Sequence, residues 1–433
     1  MKITYLIPGS GDNFYCGNCQ RDTLYVSWLK KVEGIDVSAI PLYLPPGQEN
    51  FGEELENKVF FGAVSLFLRE KVPLLNAMPT FVDRILDSSI MLNFAAKQAG
   101  TTNPEGLETT TLNMIRSKNP ARKKEVKRLA EYIIKSGGTD IIHISNALII
   151  GLAAQLKQEI NKPVICSLQN EDDWINEMQE PYASQAWKLI AEEEKHIDKF
   201  IATSNYFKQY FISKTGIDEN KIHVVPPALE VVGQTIEKSL TSAPAIGFYS
   251  RLNKMNGLDK LVDAFIALKQ KSALFDLKLH LSGGFTSDEK RFIHLQISKL
   301  KKEGFEKDVI LYHSFTGKQK ESFFNSIDLL CVPVRKHDAF GLYLLEAISH
   351  GVPVVQPHTG SFPEIIRSTK GGFTYSHDIH EYLVEALDEA LSDREKLKKT
   401  GETGKETIKN FNSPEKMAFG LIEVYNSVFE SNN

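Results

Sequence analysis

Leu329 to Ile366 reads LLCVPVRKHDAFGLYLLEAISHGVPVVQPHTGSFPEII. A strand runs to Val334 and a short loop carries Asp338. A helix starts near Gly341 and stops before Gly351, a residue suited to a helix C-terminus, and a second strand begins at Val352. Strand, helix, strand with short connections is the unit of a parallel sheet with crossover helices. The helix LYLLEAIS is apolar all round, so it is buried between a sheet and its neighbours. Glu346 is its one acid. A carboxylate there is costly unless something polar meets it. Side chains tilt toward a helix's N-terminus, so Glu346 leans back toward Asp338 and the amides of Gly341 and Leu342. Such amides suit a diphosphate; the alternative is a helix-start Asp that offsets the dipole and a Glu paired inside the protein.

The same rhythm extends both ways. Before this stretch come AIGFYS, LKLHLSGG and VILYHS, and after it GGFTYS. The first half carries KITYLI, DVSAIPL, DIIHIS, PVICSL, KFIATS and KIHVVP. The expected fold class is α/β, as two doubly wound Rossmann-like domains facing a central cleft, since 433 residues exceed one ordinary core. The N-terminal domain covers 1–228, the C-terminal domain 243–412, and a helix over about 413–433 returns to the first. Between them Val225 to Thr241 reads as a linker. Residues 47–138 form a helical insertion without a convincing strand. Its basic run IRSKNPARKKEVKR reads as a solvated helix face, with peripheral membrane contact or an acidic ligand as the alternative.

Composition narrows the class. Hydrophobic residues make up 42% and charged residues 24%, with a formal net charge of −4. That is a soluble globular composition and argues against a general nucleic-acid binder. No run reaches the length of a membrane span and the start is no secretory signal. Four cysteines make no disulfide framework, so a cytoplasmic setting is expected. Cys16-Gly-Asn-Cys19 reads as a structural loop, with redox or zinc chemistry as alternatives.

Wider motifs then carry a resemblance. DAFGLYLLEAISHGVPVV is similar to the block E-x-FG-L-x-x-LEA-x-x-x-G-x-PVV of the retaining glycosyltransferases of family 4, the group 1 enzymes of GT-B fold. HTGSFPEII resembles their G-G-x-PE-I-I turn, with Ser361 for the second Gly. Asp338 stands where the first acid of the block is usually Glu. The second domain opens with AIGFYSRLNKMNGLDKLVDAF, similar to the family's G-R-L-x-x-x-K-G. Arg251 and Gly257 match, and Asn256 replaces the Lys.

The resemblance implies a metal-independent hexosyltransferase of polysaccharide or cell-wall synthesis. It would move a sugar from a nucleotide diphosphate sugar to a sugar or glycolipid hydroxyl with retention, and would need no cofactor beyond that co-substrate. Glu346 would hold the donor ribose. Asp338, Phe340, Gly341 and Leu342 would contact donor sugar and diphosphate, and Ser314 and Phe315 would sit by the base. Arg251, with Lys254 and the position of Asn256, would face the departing diphosphate, whose charge needs fixed donors. Gly9 and Gly11 would close over the phosphates. His143, Gln169, Asn170, Asp172 and Trp174 would line the acceptor side, although the family's second and third His are replaced here. The missing Lys at Asn256 and the shorter acid Asp338 also motivate a catalytically weakened nucleotide-sugar binder or partner subunit. A sugar-nucleotide epimerase shares the fold but not the motif block.

Overall fold

The computed structural model describes residues 1–9, 14–43, 104–117, 120–231, 243–271, 274–377, 379–411 and 413–430. They divide into two compact units, one of Met1–Asp12, Asn18–Pro226 and Glu415–Asn433, the other of Asn13–Gly17 and Pro227–Pro414.

The first unit holds six parallel strands: β1 (Lys2–Ile7), β2 (Asp36–Pro41), β3 (Ile141–Ile144), β4 (Val164–Leu168), β5 (Lys199–Ala202) and β6 (Ile222–Val224). Their order is β2-β1-β3-β4-β5-β6. Central strands β3 and β4 are buried at every residue, which is why they read as apolar runs broken only by His143 and Ser167 rather than as alternating ones. The helices are α1 (Gly17–Leu29), α2 (Glu108–Ile115), α3 (Pro120–Lys135), α4 (Ala153–Ile160), α5 (Glu171–Ile175), α6 (Tyr182–Glu193) and α7 (Asn205–Thr215). Local chemistry sets their ends. The Ser204 side chain accepts from Phe207 N to start α7, and Gly216 stops it in the left-handed conformation.

The second unit repeats the plan with β7 (Ala245–Tyr249), β8 (Lys278–Ser282), β9 (Val309–Leu311), β10 (Leu329–Leu330), β11 (Val354–Pro357) and β12 (Gly372–Tyr375), in the order β12-β11-β10-β7-β8-β9. Its helices are α8 (Leu258–Lys269), α9 (Lys290–Lys302), α10 (Gly317–Ser326), α11 (Leu342–Ser349), α12 (Phe362–Thr369), α13 (His380–Ser392) and α14 (Arg394–Phe411). Helix α15 (Pro414–Phe429) follows, and its residues from Glu415 belong to the first unit. In each sheet the order reverses beside its first strand, between β1 and β3 and between β7 and β10. Such switch points collect ligands at the carboxyl ends of the strands.

All twelve strand-like runs named from sequence become strands, but β10 is shorter than expected. Cys331 N still donates to Gly247 O, after which Pro333 lacks an amide proton and Val334 N turns to Val332 O. Helix α1 starts at Gly17, directly after the Cys16 position. The described part of the 47–138 insertion carries α2 and α3 and no strand; residues 44–103 lie outside the described residues, as do 232–242 of the linker. Cys16 and Cys19 are disulfide-bonded, while Cys166 and Cys331 are free and buried. No described helix is long and apolar enough to cross a membrane.

Candidate functional site

In the second unit, every residue of α11 is buried. Glu346 is 1% exposed. Lys320, reaching across from α10, donates to its Oε1. No hydrogen bond of ordinary geometry reaches Oε2 within the protein. An isolated buried carboxylate is strongly penalised. The lysine offsets part of that cost and leaves one oxygen available.

Asp338 sits in the loop between β10 and α11. Its Oδ1 accepts from Phe340 N at 3.0 Å and Gly341 N at 2.9 Å. The Gly341 amide, expected from sequence to face a diphosphate, is therefore taken by Asp338: a carboxylate placed two and three residues before an amide closes an Asx-type turn on itself. Gly341 has φ 67°, and a Cβ there would lie 2.6 Å from Phe362 Cε1. Glycine is required at this helix start. Phe340 and Leu342 are buried beside it.

Arg251 follows β7 and is 5% exposed. Its Nη2 donates to Thr286 Oγ1 at 3.1 Å and pairs with Glu289, and its guanidinium lies 4.2 Å from the centre of the Phe14 ring. Glu289 is itself fixed, because its Oε2 accepts from Thr286 N and Oγ1 in a capping box. Asn256 is drawn into the loop, donating to Ser250 Oγ at 3.0 Å and Arg251 O at 2.9 Å. Gly257 beside it has φ 81°, and a Cβ would meet Pro333 O at 2.0 Å. Lys254 is exposed. Arg335 forks onto Asp259 at 2.6 and 2.9 Å. After β9, Ser314 N donates to Gln319, and Phe315 O accepts from Tyr249 Oη at 2.6 Å.

The carboxyl ends of β1, β3 and β4 in the first unit gather a different set. His143 is fully buried, with Nδ1 2.7 Å from Tyr425 Oη and Nε2 2.8 Å from Ser167 Oγ. Burial, then the nearby Arg21 charge, pushes its pKa well below the usual range, so the ring is neutral. Gln169 donates from Nε2 to Ser145 O, and Asn170 adopts a left-handed conformation ahead of α5. Asp172 is buried on α5, and Trp174 donates to Thr111 Oγ1 on α2 at 2.9 Å. The structure thus brings Gln169, Asn170, Asp172 and Trp174 together on one short turn and helix, and sets His143 back in the strand interior. Gly9 has φ 95° just after β1; Gly11 lies outside the described residues.

Two family models match adjacent stretches of the chain. The model described as Glycosyltransferase Family 4 matches residues 94–231, and the model described as Glycosyl transferases group 1 matches residues 235–407. The chain belongs to the group 1 glycosyltransferases. The uncharacterized glycosyltransferase YqgM of Bacillus subtilis is 25% identical over 298 residues, 67% of this chain and 79% of that protein. The lipopolysaccharide core biosynthesis mannosyltransferase LpsB of Rhizobium meliloti is 27% identical over 245 residues, 54% of this chain and 67% of that protein. Among solved structures, Anabaena HepE in complex with UDP-glucose aligns at TM-score 0.66 and 14% identity, covering 99% of this chain and 100% of that one. This last likeness is one of fold, and it agrees with the GT-B architecture of two Rossmann-like units.

For this glycosyltransferase the sequence reading passed over several residues that the structure brings to the site. Lys320 meets Glu346 from 26 residues away, with no shared motif. Glu289 follows a T-x-x-E capping signature, which marks a helix start but not an arginine partner. Tyr15, in the second unit, packs its ring against Tyr249, Phe315 and Tyr343, with its hydroxyl toward Glu346. Arg21 and Asp22, a charged pair buried on α1, form a 2.6 Å ion pair. The signal available for that pair was two adjacent charges within a helix that must lie on a sheet.

Proposed function

We propose that this glycosyltransferase takes its sugar from a nucleotide diphosphate sugar and transfers it, with retention, to a hydroxyl of a sugar or glycolipid. The observation that carries the donor assignment is Glu346. It is a 1% exposed carboxylate on a wholly buried helix at the switch-point end of the sheet, with Oε1 held by Lys320, the Tyr15 hydroxyl as its other polar neighbour and no hydrogen bond of ordinary geometry on Oε2. A ribose or sugar hydroxyl supplies the missing donor. In this reading Asp338 shapes the turn that presents the sugar, Phe340 and Leu342 wall it, and Ser314 and Phe315 border the base.

The leaving diphosphate is met by protein cations, Arg251 first and Lys254 second, without a metal or another cofactor. Arg251 would exchange Glu289 for phosphate oxygens, a bidentate geometry suited to guanidinium. In the retaining reaction the acceptor oxygen attacks the anomeric carbon on the face the diphosphate leaves. The bond to the diphosphate breaks with its electron pair, and the leaving oxygen takes the acceptor proton. Gln169, Asn170, Asp172 and Trp174 suit an acceptor rich in hydroxyls. A hexose donor and a cytoplasmic setting complete the proposal.

A second reading is a catalytically weakened nucleotide-sugar binder. The Arg251–Glu289 pair favours it by lowering the positive charge available to a leaving diphosphate, and Asn256, neutral and engaged in its own loop, adds none. The test is a screen of UDP-, GDP- and ADP-sugars by thermal shift, followed by transfer assays with the sugar that binds. Stabilisation by one donor with turnover supports the transferase. Stabilisation without turnover across sugar and glycolipid acceptors supports the binder. No stabilisation by any donor overturns both.

A further inference from the structure

The C-x-x-C at the start of α1 is a closed ring: Cys16 and Cys19 are disulfide-bonded, and both are half-buried. The segment that leads into this ring belongs to the second unit. Phe14 pairs in an isolated antiparallel bridge with Gly284, and Tyr15 N donates to Gly283 O at 2.7 Å. These bonds fix the backbone against the loop after β8. The Phe14 ring then lies 4.2 Å from the Arg251 guanidinium, within range of a cation–π attraction. The buried Tyr15 ring stands edge-on to Tyr249 at 5.0 Å and to Tyr343 of α11 at 6.4 Å between centroids. Gly17, inside the disulfide ring, reaches the start of α11: a Cβ on it would lie 3.9 Å from Leu342 Cβ. Residues 14–17 therefore touch two parts of the candidate donor site, the arginine after β7 and the helix that carries Glu346.

A bond of this kind is a weak staple. The constraint that a disulfide places on the unfolded chain grows with the loop it closes, and this one closes only the run Cys16-Gly-Asn-Cys19. What it constrains is local. It ties Cys16 to the first turn of α1, where the leading amides have no partners within the helix. Thiols released at a helix start are favoured as thiolates, which makes a C-x-x-C bond there readily reduced. Neither cysteine is closed off from solvent. We propose that Cys16–Cys19 is a reversible redox site that sets donor affinity, clamping residues 14–17 onto the donor site when oxidised and releasing them when reduced. The reductant is a dithiol. One of its thiolates attacks one sulfur, the Cys16–Cys19 bond breaks with its electron pair on the other sulfur, and a mixed disulfide forms. The second thiolate displaces the attached cysteine and closes the reductant's own disulfide, so the chain gains two electrons and two protons as two thiols. With the segment loose, Arg251 loses the ring beside its guanidinium and α11 loses a packing neighbour at its start, so the nucleotide binds more weakly. The proposal rests on the reading of Arg251 and Glu346 as donor-binding residues and adds a control to that site.

The experiment is calorimetric titration of the full chain with UDP, GDP and ADP in three states: oxidised, reduced with dithiothreitol, and reoxidised with oxidised glutathione. Iodoacetamide labelling of the folded chain, read by peptide mass, reports the state of Cys16 and Cys19, while Cys166 and Cys331 are buried and protected. The expected result is a loss of about fivefold or more in affinity on reduction, for the nucleotide that binds, with recovery on reoxidation. Cys16→Ser/Cys19→Ser binds as the reduced chain does and no longer responds to dithiothreitol. Equal or tighter binding by the reduced chain overturns the proposal, as does a bond that dithiothreitol leaves intact in the folded chain. A response to dithiothreitol that persists in the double variant also overturns it, because the effect then arises elsewhere. So does a reduced chain that has lost its cooperative thermal melt, since the bond is then a structural staple. Failure of the underlying reading looks different: the oxidised chain binds none of the three nucleotides, which ends the donor assignment and this proposal together.

Discussion

Glu171 and Glu346 are two glutamates with the same 1% exposure, one at the carboxyl end of each unit's sheet. Glu171 accepts from Ala147 N and Gln169 N, both at 2.8 Å, one on each oxygen. It is a strut that ties the loops after β3 and β4 together, and burial still pushes its pKa up against those bonds. Glu346 has a lysine on one oxygen, the Tyr15 hydroxyl as its other polar neighbour, and no hydrogen bond of ordinary geometry on Oε2. Equal burial therefore says little about role. What separates the two is whether the fold itself completes the carboxylate's hydrogen bonds, because a buried acceptor left open is tolerated where a ligand completes it.

The contrast can be broken by substitution. The largest expected effect is on activity: Glu346→Ala lowers sugar transfer by at least about a hundredfold with a cooperative thermal melt retained, read from initial rates and the melt. Wild-type turnover in that variant would end the donor-site assignment. Glu171→Ala should do the reverse. It orphans two backbone amides and lowers unfolding stability by about 2–4 kcal/mol in urea titration, with a smaller change in transfer per folded molecule.

The charge around Arg251 sharpens the comparison next. Glu289→Gln removes the competitor for its guanidinium, and Asn256→Lys restores a cation to the loop. Each is expected to raise transfer or donor affinity by about threefold to tenfold, and a fall in both variants would show that the ion pair organises the site instead of masking it.

The smallest effect is a pH limb. The folded-state pKa of His143 lies below its unfolded value, so below about pH 6.5 the unfolded chain binds a proton that the folded chain does not. Stability contributed by the neutral ring is full above that pH and is lost as pH falls, by up to about 1.4 kcal/mol per pH unit. His143→Gln should flatten this limb between pH 6.5 and 5 in denaturant titrations, though His196 and His223, also lowered by burial, retain part of it.

Much of the scaffold was legible because strands in doubly wound sheets announce themselves as short apolar runs, and all twelve were placed. Glu346 was legible for a related reason: one acid in LYLLEAIS stands out against an apolar background. The partners that give these residues meaning were not. Lys320 reaches Glu346 from another helix, and Glu289 neutralises Arg251 from a capping box after β8. Tyr15 joins the second unit although it lies near the start of the chain. Tertiary pairing of this kind has no period and no fixed spacing. The same limit explains the Gly341 amide, whose use by Asp338 depends on the turn and not on the residue types. It also explains His143, whose ring is closed off by Ser167 and by Tyr425 of α15, 282 residues away.

The most direct measurement is nucleoside diphosphate affinity in Glu346→Gln and Glu171→Gln, each compared with wild type by calorimetry. The account predicts that the first weakens binding about tenfold or more while the second leaves it within about twofold in folded protein. Equal affinity in wild type and Glu346→Gln would contradict it.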